Sequence, residues 1–188
     1  MSQTGTVKAL GISGSLRKGS FNTMALRAAG EVMPDGMTLD VADIAPIPLY
    51  NEDVRQAGFP PAVQRLREQI LAADALIIAT PEYNYSVPGV LKNAIDWASR
   101  PPDQPFNGKP VGIMGATPSL WGTTRAQYHL RQSCVFLNMF PLNKPEILIA
   151  QAAGRFNEQG QLTDATTRDM LRQFMTALRD WTLRLRQG

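Results

Sequence analysis

Cysteine and histidine are almost absent from this chain: Cys134 and His129 are the single examples among 188 residues. One thiol closes no internal disulfide, and one thiol with one imidazole builds neither a thiolate zinc centre nor a paired-histidine metal site. Long apolar runs are missing too, none approaching the ~18 residues that span a bilayer. The N-terminus shows no basic region leading into an apolar one, so the expected address is cytoplasmic. Clusters of five or more cations are also lacking. The formal charge is +3 and the pI about 9.2, but the lysines and arginines are scattered, which argues against nucleic acid as the main partner. What remains, 44% hydrophobic and 19% charged, suits one sizeable core and a single domain over residues 1–188, without internal repeats or low-complexity linkers.

Short apolar runs alternate with stretches of helical period. Strands are predicted at Val7 to Ser13, Thr38 to Asp43, Ala75 to Thr80, Val111 to Ala116 and Pro145 to Ala150, most without the polar alternation of a half-exposed strand. Helices are predicted at Asn22 to Met33, Pro61 to Ala73, Val90 to Ser99, Thr124 to Phe140 and Thr163 to Arg186, each with an apolar stripe. Strand and helix alternating five times over predict a parallel α/β sheet, doubly wound in the order 2-1-3-4-5, with helices on both faces. In such a sheet ligands bind beyond the carboxyl ends of the strands. The first and third of those ends carry the most unusual residue sets and are neighbours across the switch point.

After the first strand comes GSLRKGSFNT, Gly14 to Thr23. A helix N-terminus near Ser20 to Asn22 makes an anion site, to which Ser13, Ser15, Ser20 and Thr23 add hydroxyls, Asn22 an amide and Arg17 a guanidinium fork. The alternative is a plain helix cap with Arg17 and Lys18 solvated. Gly14 and Gly19 have the separation of a Walker loop, but Ser20 and Phe21 stand where lysine and Ser/Thr belong. The dinucleotide pattern G-x-G-x-x-G fails as well, since Gly11 and Gly14 are spaced G-x-x-G. Hydroxyls and cations in place of bare glycines favour a terminal phosphate monoester, hence a mononucleotide, of which FMN is the usual one at this switch point.

The third strand runs into TPEYNYSVPGVLKNAIDW, Thr80 to Trp97. Pro81 and Pro88 stiffen the loop, Tyr83 and Tyr85 offer flat faces, and Glu82 and Asn84 offer polar groups to the edge of a ring. Aromatic packing on the next helix is the plainer alternative.

GSLRKGSFN followed by PEYNYSVPGVLKNAIDW, with RAQYHLRQ at Arg125 to Gln132 and NKPE at Asn143 to Glu146, resembles the NAD(P)H-dependent FMN reductase family, above all its quinone and chromate reductase members. The resemblance covers nearly the whole chain and implies a flavodoxin-like fold. It implies that Ser15, Arg17, Ser20 and Asn22 bind the FMN phosphate, that Glu82, Tyr83, Asn84 and Tyr85 border the isoalloxazine, and that Thr117 approaches the ring. It further implies NADPH or NADH as co-substrate, hydride delivery to flavin N5, and then reduction of a quinone, free flavin or chromate-type acceptor by ping-pong turnover. The cofactor carries that chemistry, so no catalytic side chain is named.

The family commonly forms homodimers and homotetramers, and Arg125, Tyr128 and Glu146 are candidates for such an interface or for an intrachain network. Against the family's glycine-rich turn after the fourth strand, this chain has ATPSLWGTT, made bulkier by Pro118, Leu120 and Trp121. His129 is read as structural or interfacial and Cys134 as a small core residue. A flavodoxin-like electron carrier without direct NAD(P)H oxidation is the alternative function, disfavoured by the basic charge.

Overall fold

The computed structural model describes residues 5–187. Strands β1 (Val7–Ser13), β3 (Ala75–Ala79) and β4 (Pro110–Ala116) form the centre of the sheet, and their runs VKALGIS, ALIIA and PVGIMGA are buried almost throughout. β2 (Met37–Ala42) lies parallel to β1 with Val7 opposite Met37, β3 lies on the other side of β1 with Ala9 opposite Ala75, and β4 follows with Leu76 opposite Val111. The order is 2-1-3-4-5, as the alternation of strand and helix predicts.

The fifth position departs from expectation. In place of one strand from Pro145 to Ala150, two short pieces, β5 (Phe140–Pro141) and β6 (Ile147–Ile149), both run parallel to β4. β5 pairs with the start of β4 and β6 with its end, and the chain leaves the sheet between them. The helix preceding them, α5 (Thr124–Leu137), also stops short of the expected Phe140. Asn138 takes a left-handed conformation (φ 52°), and its N–H bonds the Val135 carbonyl, a common way to end a helix.

Helices α1 (Phe21–Glu31) and α6 (Ala165–Leu185) cover one face of the sheet. Leu26, Ala29, Leu171, Phe174 and Leu178 meet Val7, Ala9, Ile77 and Met114 there. Helices α3 (Pro61–Ala72), α4 (Gly89–Ala98) and α5 cover the other, where Leu66, Ile70, Leu91, Ile95 and Leu130 meet Leu10, Ile12, Ile78 and Ile113. Apart from the alanines, each such side chain contributes about 1.5–3 kcal/mol on burial. A five-residue helix not expected from periodicity, α2 (Glu52–Gln56), is capped by Asn51, whose Oδ1 accepts from Asp53 N–H at 2.9 Å. Among the described residues no helix is long and apolar enough to cross a membrane.

Two buried polar groups complete the second layer. Cys134 packs among its residues, and burial pushes its thiol up to about 11, so at neutral pH it is a protonated core side chain. Arg67 of α3, only 5% exposed, lies over the Phe59 ring at 4.2 Å. Its guanidinium donates to the carbonyls of Ala98 (2.6 Å), Arg100 (2.7 Å), Asp103 (2.9 Å) and Pro102. The segment after α4, which has no secondary structure of its own, is thus organised around one cation.

Candidate functional site

The first loop begins by extending the sheet. Gly14 N–H donates to Ala79 O at 2.8 Å, and a Cβ on Gly14 would lie 3.0 Å from Leu91 and 3.1 Å from Pro81, so a side chain there would require those neighbours to give by a few tenths of an ångström. Ser13 Oγ and Thr23 Oγ1 bond one another at 2.8 Å, joining the base of the loop to α1. Ser20 caps that helix from an extended conformation, and its Oγ accepts from Thr23 N–H. The N–H groups of Phe21 and Asn22, in the first turn, have no acceptor inside the helix. Ser15 stands beside them, and Arg17 reaches back with its Cζ 5.5 Å from the centre of the Phe21 ring.

Asn22 differs from the sequence reading. Its side-chain amide does not point free as a phosphate donor: Nδ2 donates to Ala116 O and Oδ1 accepts from Ala116 N–H, both at 2.9 Å. This buried two-point clamp ties the start of α1 to the end of β4, so what Asn22 offers an anion is its backbone N–H.

The loop after β3 is a two-residue hairpin. Tyr83 and Ser86 exchange backbone bonds at 3.1 and 3.0 Å, and both residues between them are left-handed, Asn84 with φ 49° and Tyr85 with φ 67°. Asparagine tolerates this region, whereas tyrosine is strained there by about 1–2 kcal/mol. The Tyr85 ring, 67% exposed, stacks under Arg125 with the guanidinium carbon 3.7 Å from its centre.

Glu82 is a second departure. Its carboxylate accepts from Arg125 N–H (3.0 Å) and Ala126 N–H (3.3 Å) while pairing with the Arg125 guanidinium, so it is engaged by the next helix. Helix α5 opens on Thr123, which is left-handed and makes no side-chain cap, so Glu82 caps it from another loop. The loop after β4 packs just as tightly: a Cβ on Gly115 would lie 1.8 Å from Thr123 Oγ1 and 2.6 Å from Thr80 O. Thr117 N–H donates to Ile149 O, and Ala152 N–H donates back to Thr117 O, each at 3.0 Å.

Between these three loops lies a cavity of about 350 Å³, walled by Ser15, Arg17, Ser20, Phe21, Asn22, Pro81, Glu82, Tyr83, Ala116, Thr117 and Pro118. Seven of the nine residues expected at a cofactor, Ser15, Arg17, Ser20, Asn22, Glu82, Tyr83 and Thr117, lie on that wall. Asn84 and Tyr85 do not; they form the tip of the hairpin, with Tyr85 against Arg125.

Over this cleft the sequence is decisive, because residues 7–154, which include all three loops, match the profile of the NADPH-dependent FMN reductase family. The chain belongs to that family. An NAD(P)H-dependent FMN reductase of Pseudomonas aeruginosa is 61% identical over 180 residues, 96% of this chain and 97% of that protein. A quinone reductase of Escherichia coli is 48% identical over 176 residues, 92% of this chain and 94% of that one. Among solved structures the flavoenzyme FerB of Paracoccus denitrificans, an NAD(P)H:(acceptor) oxidoreductase, superposes with a TM-score of 0.87 at 34% identity, covering 95% of this chain and 98% of that chain.

The donor set of this FMN reductase family member fits a phosphorylated flavin. One end of the cavity gathers hydroxyls, a guanidinium and the first N–H groups of a helix, all suited to a phosphate dianion. The single carboxylate on the wall, Glu82, is neutralised by Arg125 and engaged by the backbone of α5. The rest of the wall includes Pro81, Tyr83 and Pro118, groups of the weakly polar character that a ring system needs.

The remaining candidates in this reductase-family chain are engaged within the one subunit. Tyr128 Oη donates to Glu146 Oε1 at 3.1 Å, and Lys144 Nζ donates to Glu146 Oε2 at 3.2 Å. The bond from Lys144 is the main cause holding the Glu146 carboxyl below its ordinary range. His129 Nδ1 lies 2.9 Å from Ser86 Oγ, bracing the hairpin from α5.

Proposed function

We propose that this chain is an FMN-dependent NAD(P)H oxidoreductase that reduces quinones, with free flavins and chromate-type oxyanions as further acceptors. The observation that carries the reading is a cavity whose wall combines anion donors with proline and tyrosine side chains, at the switch point of a flavodoxin-like sheet. The names of the relatives, quinone reductase and FMN reductase, support the choice of acceptors.

The chemistry FMN supplies when bound is uptake of a hydride from the nicotinamide and release of two electrons to an acceptor. The chain's own part is to bind and orient. Ser15, Ser20, the Arg17 guanidinium and the backbone N–H groups of Phe21 and Asn22 hold the phosphate. The backbone at 82–83 and 116–117 borders the ring, with the Tyr83 side chain and Thr117 Oγ1 at its edge. No side chain on the wall is needed as acid or base.

The test is steady-state oxidation of NADH and NADPH by the FMN-loaded protein against benzoquinone, free FMN and chromate. Parallel double-reciprocal lines are expected, because both substrates use the same opening in turn. Flavin binding without NAD(P)H oxidation would instead make the chain an electron carrier. In the same series Arg17→Ala is expected to weaken FMN about tenfold while leaving turnover of the loaded fraction nearly unchanged, the loss of one charge-assisted hydrogen bond. Unaltered flavin retention would remove Arg17 from the phosphate site.

Self-association into a homodimer or homotetramer belongs to the same reading. Val135 and Phe136 on the outer side of α5 are 82% and 83% exposed, side by side, at a helix otherwise packed on the sheet. Sedimentation velocity of the loaded protein is expected to give a species of at least twice the chain mass, and replacing both residues by serine to give the monomer.

A further inference from the structure

We propose that Arg125 is a positioning residue, one side chain that sets the shape of two of the three loops walling the flavin cavity. The inference rests on the reading of that cavity as the FMN site.

Three contacts lead to it. At the near end of the β3 loop, the guanidinium pairs with Glu82, whose side chain is 9% exposed and fixed by the backbone of α5. At the loop's tip the same guanidinium lies 3.7 Å over the Tyr85 ring. On a third side it faces Trp121, 5.6 Å from the ring centre, in the turn that follows Thr117 and Pro118.

Tyr83, which is on the cavity wall, stands between the two points of its loop that Arg125 holds. Tyr85 occupies a left-handed conformation that a tyrosine does not favour, and its ring is mostly open to solvent. The stack on Arg125 is the contact that retains it there. Without that stack the hairpin loses its reason to keep Asn84 and Tyr85 left-handed, and Tyr83 moves with them. Trp121 extends the hold to the bulky turn after β4, so the distance between the two loops also depends on this cation.

The chemistry requires arginine. A planar, delocalised cation lies against the Tyr85 ring, with Trp121 also within reach, while its edge forks onto the carboxylate, whereas a lysine ammonium keeps the charge but neither forks nor packs flat on a ring. The residue acts through the loops and does not border the cavity.

Two measurements test this. In the cofactor-free protein, amide hydrogen exchange at Tyr83 and Ser86, the two paired groups of the hairpin, is expected to rise about tenfold in both Arg125→Ala and Arg125→Lys, the loss of one stacked cation. Unchanged exchange overturns the proposal whatever the flavin does.

In the second measurement FMN is titrated by fluorescence quenching into a double-mutant cycle. Arg125→Ala is expected to raise the Kd about tenfold in the wild-type background and less than about twofold in a Tyr85→Gly background, because glycine takes the left-handed conformation freely. Equal losses in the two backgrounds would mean that Arg125 acts through its charge alone, and would overturn the positioning role. A wild-type protein that takes up no FMN would overturn the proposed function, and the exchange result would then decide the role of Arg125 by itself.

Discussion

Replacing Arg67 by alanine is expected to cost about 3–5 kcal/mol of stability, since each buried carbonyl left without its donor costs about 1–3 kcal/mol and those nearer the surface cost less. The size follows from what would be left behind. Four carbonyls, those of Ala98, Arg100, Pro102 and Asp103, converge on this guanidinium, and the Phe59 ring covers its face. Deleting it leaves acceptors that no nearby side chain satisfies and opens a gap under Phe59. Burial already lowers the pKa of Arg67, opposed only by the charge of Asp103, so the cation is tolerated for its hydrogen bonds more than for an ion pair. Arg67→Lys is expected to recover less than half, since one ammonium does not span four carbonyls held by a fork. Urea unfolding reads the effect as a midpoint lower by about 2 M, taking a slope of about 2 kcal/mol per molar. A midpoint within a few tenths of a molar of wild type would show that the segment around 98–103 is held by something else. FMN affinity measured below the transition is expected to change little, because Arg67 is not on the cavity wall.

Asn22→Ala is expected to damage both stability and cofactor binding. The Ala116 N–H and C=O each lose their bond to the Asn22 amide, and each unpaired buried group costs about 1–3 kcal/mol. A total of about 2–6 kcal/mol should appear in urea unfolding. Because the clamp also fixes the start of α1 against the end of β4, the phosphate end of the cavity and its Thr117 side separate, and FMN is expected to bind at least tenfold more weakly. Asn22→Asp sharpens the test. It keeps an acceptor for Ala116 N–H but sets a carboxylate against Ala116 O, near where the phosphate would lie, so its affinity loss is expected to exceed that of Asn22→Ala. Wild-type affinity in both variants would mean that the clamp is not part of the site.

The sequence was legible where structure is local. The runs of β1, β3 and β4 are apolar on both faces and permit little else. The donor-rich loop after β1 declares itself because Ser15, Arg17, Ser20 and the first turn of α1 lie within a few residues of one another. The split of the fifth strand is not local. It depends on β4 being long enough to pair with Phe140 at one end and Ile147 at the other, and no periodicity in 140–149 announces the excursion between them. α2 is too short for an amphipathic period, though Asn51 followed by Glu52 and Asp53 is a capping pattern that marks its start.

The same division runs through the site. Asn22 and Glu82 were legible as members of the cavity and illegible in their tasks, because their side chains answer to groups 94 and 43 or 44 positions away. A carboxylate in a ring loop reads as a polar edge until the helix that lacks its own cap is known. Arg125 stands out in the sequence only as part of RAQYHLRQ, and nothing near it names Tyr85 or Trp121 as its neighbours.

The divided fifth strand also bears on how the protein behaves in a crowded solution. An open sheet has two edges, and an exposed edge of free N–H and C=O groups invites a strand from another molecule. Here one edge is broken into pieces of two and three residues, the first ending in Pro141, which has no N–H to offer. Neither piece is long enough to template a passing chain. The opposite edge, β2, is longer but carries Asp40 in its middle. Both borders of the sheet are therefore guarded against runaway strand addition, one by interruption and the other by charge.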